Sequence, residues 1–81
     1  MTSQENRKTL RRRVLKAGTI ALNQGGVISC MVRNLSPLGA CLEVVSPLGI
    51  PDEFTLVSSD HIQRPCRIVW RSEKRIGVSF I

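Results

Sequence analysis

Apolar and polar residues alternate in short stretches along most of this chain, beginning near residue 14. A period of two places every second side chain on the same face, which is typical of β-strands with one buried face. Turn-forming residues separate the stretches at intervals of about 8 to 12 residues, the spacing of an all-β sandwich or barrel. The pattern predicts about six strands, at residues 14–22, 27–35, 40–45, 53–59, 65–72 and 76–81.

Six strands are too many for one flat sheet in a chain of 81 residues. Closure into a barrel removes exposed sheet edges and creates an interior. We therefore predict an all-β barrel domain over residues 14–81, preceded by a basic N-terminal arm over residues 1–13. Trp70 shares an alternating face with Ile68, so we expect its side chain in the core.

The net charge of +6 is concentrated near the N-terminus, and the rest of the chain is roughly balanced. Six of the twelve basic residues lie between residues 7 and 16, and no acid interrupts them. Such a stretch attracts an anion, which could be nucleic acid, a nucleotide, an acidic lipid or an acidic protein. The alternative is a solvated tail that keeps the protein in solution.

Several classes of protein fit the sequence poorly. No uncharged apolar run approaches the ~18 residues of a membrane span, and the N-terminus lacks a signal-peptide core, so we expect a cytoplasmic protein without membrane insertion. We interpret Cys30, Cys41 and Cys66 as reduced, buried thiols, because C-x-x-C pairs are absent and His61 is the single histidine. No acid is recognisably paired with His61 or a cysteine, and no phosphate-binding loop occurs. We therefore predict no enzyme, no metal and no cofactor.

Two short motifs carry candidate binding chemistry. Arg7 and Arg11 are four residues apart, and guanidinium groups can hold phosphates bidentately, stack on a purine or donate to its acceptor edge. Asn34 and Ser36 point to the same side of an extended segment, and both can donate hydrogen bonds to a ligand. Gly39 permits a positive φ and leaves room for a ligand or backbone to come close.

The tetrapeptide Ser-Pro-Leu-Gly occurs twice, at residues 36–39 and 46–49. The first copy follows Asn34 and is assigned to the binding surface. The second copy lacks such a polar partner, and we predict that it is a rigid connection. Arg71 and Arg75 repeat the four-residue spacing of the N-terminal arginines, and we interpret them as the rim of a hairpin.

The R-x-x-x-R pair, the N-x-S-x-x-G turn and the C-terminal stretch CRIVWRSEKRIGVSF, taken in this order, resemble the PilZ domain family over about residues 5–81. The resemblance implies a six-stranded antiparallel β-barrel with a flexible basic N-terminal arm that folds onto the barrel when ligand binds. Many members carry a helix after the last strand. This chain stops at Ile81, so we expect no C-terminal helix.

The resemblance also implies a ligand, the bacterial second messenger cyclic di-GMP. By analogy Arg7 and Arg11 would hold phosphate and guanine, and we include the neighbouring Arg12 among the ligand-binding residues. Asn34 and Ser36 would hydrogen-bond guanine, and Gly39 would let the backbone turn. Position 34 is Asn where the family often has Asp, which removes a negative charge from the site.

The function implied is that of a sensor or adaptor in second-messenger signalling, with a downstream protein partner that the sequence does not identify. One alternative is a PilZ-like module that has lost the ligand and serves protein–protein interaction. A less favoured alternative is a small nucleic-acid-binding β-barrel. The basic arm suits it, but the two Phe and one Trp resemble core residues and leave few platforms for base stacking.

Overall fold

The computed structural model describes residues 12–81, which form six strands and no helix. The strands are β1 (Arg12–Ala21), β2 (Val27–Leu35), β3 (Gly39–Glu43), β4 (Glu53–Ser58), β5 (Gln63–Arg71) and β6 (Arg75–Phe80). Every neighbouring pair is antiparallel, and the sheet closes in the order β1-β2-β3-β6-β5-β4. The all-β, six-stranded antiparallel barrel expected from the sequence is confirmed.

β1 begins at Arg12, so Arg12 and Arg13 are strand residues. The remainder of the predicted arm, residues 1–11, lies outside the described residues, and so does its expected flexibility. The division of the chain into an arm and a barrel domain stays a prediction. A helix capable of crossing a membrane does not occur among residues 12–81.

Alternating side chains from all six strands fill the barrel. Ile20, Leu42, Cys66 and Ile76 have no exposed surface, and no polar or charged side chain of the described part is buried with them. Gly18 faces the same interior, where an added Cβ would lie 3.3 Å from the Cys30 sulfur. Apolar burial of this kind is the main favourable contribution to the stability of so small a domain.

The two ends of the barrel are built differently. One end is closed by the connection between β3 and β4, whose Val44 and Ile50 side chains belong to the core. Arg71 fixes this connection by donating to the Pro47 carbonyl at 3.0 Å and to Asp52 at 2.9 Å. The second Ser-Pro-Leu-Gly is therefore a connection, as predicted. The opposite end opens between the Ser36–Gly39 turn and residues 58–62, and we call it the mouth.

Trp70 contradicts the sequence-based expectation, because its side chain is 46% exposed rather than in the core. The cause is a β-bulge in β5. Ile68 pairs with Val78 but the next pair is Trp70 with Gly77, which leaves Val69 as an extra residue. A one-residue shift of register moves the following side chains to the other face of the sheet. Trp70 therefore lies on the outside of the barrel.

The three cysteines carry free thiols, but they do not share one environment. Cys30 and Cys66 are buried, as predicted, and burial raises the pKa of each thiol to about 11. The prediction of burial is wrong for Cys41, which is only half-buried. Its neighbour Leu42 takes the interior position in β3, so Cys41 faces outward.

Candidate functional site: an outer groove on the barrel wall

A groove of about 560 Å³ runs along the outside of the barrel over β2, β3, β6 and β5. We call it the outer groove. The side chains that matter for its chemistry are Asn34, Ser36, Cys41, Trp70, Arg75 and Ser79, with Gly39 and Gly77 in its floor. This volume lies within the range of about 300–1,000 Å³ that is typical of sites for small molecules.

The strand register explains why these residues meet. Asn34 of β2 lies opposite Cys41 of β3, Cys41 lies opposite Gly77 of β6, and Gly77 lies opposite Trp70 of β5. Directly opposed residues in an antiparallel sheet project to the same face. The pairings therefore form one outward-facing row from Asn34 to Trp70, although these two residues are far apart in the sequence.

The same row continues onto β1. Arg13 lies opposite Asn34, and its side chain is exposed. The arginine therefore joins the end of the row that carries the amide. A cation and an amide next to each other offer several hydrogen-bond donors and one acceptor at this end of the groove.

Ser36 has a structural duty in the turn that ends β2. Its hydroxyl oxygen accepts hydrogen bonds from the backbone N–H groups of Leu38 and Gly39, each at 3.2 Å. The backbone N–H of Ser36 donates to the Gly39 carbonyl at 2.9 Å, which closes the turn. Such side-chain-to-backbone bonds are the usual way in which serine stabilises a turn. Ser36 thus fixes the wall of the groove as well as lining it.

Close packing, and not the φ angle, requires a glycine at position 39. It does not appear among the glycines with positive φ, which are Gly25, Gly26 and Gly49. A Cβ on Gly39 would overlap the carbonyl oxygen of Val78 and lie 3.1 Å from its carbonyl carbon. The sequence-based expectation of close approach is confirmed, whereas the expectation of a positive φ is wrong.

Trp70 forms the far wall of the groove. One side of its indole covers Gly77, where an added Cβ would lie 2.8 Å from the indole Cδ1 and closer still to Nε1 and Cε2. Gly77 is buried beneath the indole, while nearly half of the Trp70 surface remains open to solvent. An aromatic ring held against a backbone with its other side exposed is a platform on which a planar base can stack.

The charge in the groove is positive. Arg33, Arg67 and Arg71 form ion pairs with Glu43, Glu53 and Asp52, respectively, at 2.7–2.9 Å. Within residues 12–81, neither Arg13 nor Arg75 takes part in such a pair. Arg75 lines the groove, and Arg13 is in register with Asn34. The groove therefore combines cationic groups, an amide and an open aromatic face. That combination suits a ligand with phosphates and planar bases.

The structure brings together one part of the predicted ligand-binding set. Asn34, Ser36 and Gly39 all line the outer groove. Arg12 lies in β1 with its backbone paired to Leu35, and nothing is described of its side chain. Arg7 and Arg11 lie outside the described residues. Their roles, like those of the other members of the set, stay predictions.

Sequence reasoning missed three residues of this surface. The alternation predicts a core position for Trp70, and only the bulge in β5, which the alternation does not reveal, places it outside. The sequence indicates a hairpin rim for Arg75, whereas the residue lines the groove. Arg13 falls within the predicted arm, whereas it is the strand residue opposite Asn34. Within residues 12–81, no three histidine, cysteine, aspartate or glutamate side chains are arranged to hold a metal ion.

The class of protein follows from comparison with known families. A model of the PilZ domain matches residues 5–81, essentially the whole chain. The chain therefore belongs to the PilZ domain family, which is associated with cyclic di-GMP binding. No curated protein matches this chain.

Proposed function

We propose that this protein is a sensor or adaptor that binds cyclic di-GMP between the N-terminal arginines and the outer groove. The observation that carries the proposal is the outward row from Arg13 and Asn34 to Trp70, which puts a cation, an amide and an open indole on one surface, with Arg75 also in the lining. The association of the family with cyclic di-GMP supports this choice of ligand. Cyclic di-GMP has two phosphates and two guanines, which match the cationic and planar sites, respectively.

Chain connectivity supports a role for the N-terminal arginines. Arg11 immediately precedes Arg12, which pairs with Leu35, a residue of the groove wall. The covalent connection to Arg11 therefore starts beside the groove. Arg7 is five residues before Arg12, a distance that an extended chain covers in about 17 Å. Both guanidinium groups can accordingly reach a ligand in the groove.

The role that we propose for each residue follows from the chemistry of its side chain. Arg7 and Arg11, with Arg12, bind phosphate and the acceptor edge of guanine through their planar forks. Asn34 hydrogen-bonds a guanine edge, and Ser36 and Gly39 hold the turn beside it. Trp70 stacks on a base, and Arg75 neutralises phosphate charge. A downstream protein in the cytoplasm of a bacterium would recognise the ligand-bound form.

Trp70→Ala is expected to weaken cyclic di-GMP binding by about tenfold or more, because base stacking on an aromatic side chain contributes ~1–3 kcal/mol. Trp70→Phe should retain part of the affinity, since it keeps a ring over Gly77. Trp70 is the single tryptophan, so its fluorescence reports directly on the groove in the unmodified protein. We expect saturable quenching when cyclic di-GMP is added.

Leu48→Ala is the matched control for Trp70, because Leu48 is 87% exposed and lies on the connection at the other end of the barrel. It should bind as tightly as the unmodified protein. Equal affinities of Trp70→Ala and the unmodified protein for cyclic di-GMP would show that Trp70 does not contribute to binding. Far-UV circular dichroism of each variant checks that the barrel is folded.

Cys41 offers a second measurement of the same site. Iodoacetamide at pH 8 should modify Cys41 first, since Cys30 and Cys66 are buried and their pKa is raised to about 11. Cys41 is in the middle of the groove row, so cyclic di-GMP should shield it. At nine-tenths occupancy, the rate of modification should fall about tenfold.

Mass spectrometry of peptides assigns the modified cysteine. GMP at the same concentration should give no protection, and Cys41→Ser should remove the rapidly modified thiol. An unchanged rate of Cys41 modification with the ligand site saturated would place the ligand elsewhere on the protein.

A further inference from the structure

The mouth of the barrel contains a second cleft, of about 470 Å³. This cleft opens at the end of the barrel, whereas the outer groove lies on its side. Its floor is apolar and is formed by Val32, Leu56 and Phe80, the first two of which are buried core residues. Leu35, Pro37 and Ile62 form its apolar walls. The mouths of small β-barrels are among the places where ligands commonly bind.

The mouth is open because of the residues that face the interior at this end. Lys16 lies opposite Val32, and Arg64 lies opposite Leu56, so both cationic side chains start from the inner face of the sheet. On β1 the next interior position is Gly18, which has no side chain to fill the space. Apolar residues at these positions would have extended the core to the end of the barrel.

The rim carries more positive than negative charge. Lys16 and Arg64 both line the cleft, and neither forms an ion pair within residues 12–81. The Arg64 guanidinium lies 4.5 Å from the centroid of the Phe80 ring, which holds it over the apolar floor. Asp60 is the single carboxylate of the lining, and it accepts a hydrogen bond from the Ser58 hydroxyl.

Asp60 is ionised at neutral pH like any exposed aspartate, and the hydrogen bond from Ser58, with a smaller contribution from the charge of Lys16, lowers its pKa further. Among the described residues, the lining therefore carries two cations and one anion, with a net charge of +1. An apolar cleft beneath a net positive rim matches a molecule that is apolar at one end and anionic at the other. A neutral apolar molecule would fill the cleft without pairing with the net positive charge of the rim.

We propose that the barrel mouth is a binding site for a small amphipathic organic anion. Its apolar body would enter against Val32, Leu56 and Phe80, and its acidic group would lie at the rim between Lys16 and Arg64. The cleft shares Leu35 and Ser36 with the outer groove, so the two sites are on opposite sides of one turn. This proposal does not depend on cyclic di-GMP binding.

The test is a titration of the full ¹⁵N-labelled chain with decanoate, followed by amide chemical shifts in two-dimensional NMR spectra. The shifts should saturate and should cluster at residues 35, 36, 56–64 and 80. The connection at residues 44–52, at the closed end of the barrel, should not respond. Decanol, which has the same chain without the charge, should bind more weakly.

Three variants distinguish the contribution of the rim charge to binding from that of the apolar contact. Lys16→Gln should weaken decanoate binding about fivefold, as expected for one partly exposed ion pair, and should leave decanol binding unchanged. Lys74→Gln makes the same charge change on the hairpin at the closed end and should have no effect. Ile62→Asp should weaken the binding of both compounds, because it places a carboxylate in an apolar wall.

Two results would overturn the proposal. Decanoate shifts that fail to saturate, or that spread over the exposed apolar residues of the whole barrel, would mean that the mouth is no site. Equal effects of Lys16→Gln and Lys74→Gln would mean that the rim cations do not recognise the acidic group.

Discussion

Replacing Gly39 by alanine is expected to destabilise the barrel by about 3 kcal/mol, the upper end of the cost of overpacking. The added Cβ would overlap the Val78 carbonyl oxygen and lie 3.2 Å from Ser79 Cα. These are backbone atoms of the strand paired with β3, so they cannot move aside as a flexible side chain can. Relief requires separation of β3 from β6, which opens the barrel. Total stabilities of ~0.05–0.15 kcal/mol per residue correspond to about 4–12 kcal/mol for a chain of this length, so this loss would remove roughly a quarter to three quarters of the free energy of unfolding.

Gly49→Ala is the matched control, since Gly49 ends the second copy of the same tetrapeptide. Its φ is +85°, and an added Cβ would have no heavy atom within 4 Å. The expected loss is about 1 kcal/mol, the cost of a left-handed conformation for a residue with a side chain. Urea unfolding followed by Trp70 fluorescence measures both values. Equal losses for the two variants would contradict the role assigned to Gly39.

The two identical tetrapeptides therefore depend on different properties of glycine. In the first, Ser36 binds the backbone of its own turn and Gly39 lets β6 approach. In the second, the Ser46 hydroxyl accepts from the Leu48 N–H at 3.3 Å, and Gly49 supplies the positive φ. The same tetrapeptide therefore allows close strand packing at Gly39 and a turn with positive φ at Gly49.

Arg11→Ala is expected to weaken cyclic di-GMP binding at least a hundredfold. One guanidinium fork that makes two charge-assisted hydrogen bonds contributes about 1.5–3 kcal/mol per bond, and a factor of ten corresponds to about 1.4 kcal/mol. The same change in Arg7 should act in the same direction. Calorimetry with each purified variant measures the dissociation constants, and unfolding midpoints should be unchanged.

Two further variants distinguish a specific contact from general attraction by charge. Arg11→Lys keeps the charge but loses the planar fork, so it should recover only a minor part of the affinity. Lys74→Ala removes one positive charge from an exposed hairpin and should reduce binding less than twofold. Full recovery in Arg11→Lys would show that charge alone is sufficient, which would favour a nonspecific anion-binding segment.

The strand pattern was predictable because the alternation of apolar residues depends only on neighbouring positions. β2, for example, spans the same residues, 27–35, in the sequence-based prediction and in the structure. The bulge at Val69 was not predictable in this way, since it depends on how β5 pairs with β6. One inserted residue moved Trp70 from the expected core to the surface. The exposed Trp70 also weakens one argument against nucleic-acid binding, namely that the aromatic side chains all resemble core residues.

The candidate site was only partly predictable for the same reason. Asn34, Ser36 and Gly39 are close in sequence, and their common location followed from local spacing. Arg75 and Trp70 reach them only through the closure of the barrel, which sets β6 and β5 next to β3. The local spacing does not identify Lys16 and Arg64 as residues of the mouth. Their inward position follows from the register with Val32 and Leu56.

The most direct test of the proposed function is a calorimetric titration of cyclic di-GMP into the full chain, with GMP as a control. We expect one saturable binding transition with a dissociation constant of about 1 μM, which corresponds to about −8 kcal/mol, and no heat of binding with GMP. A flat titration with protein shown by circular dichroism to be a folded barrel would contradict the proposed function.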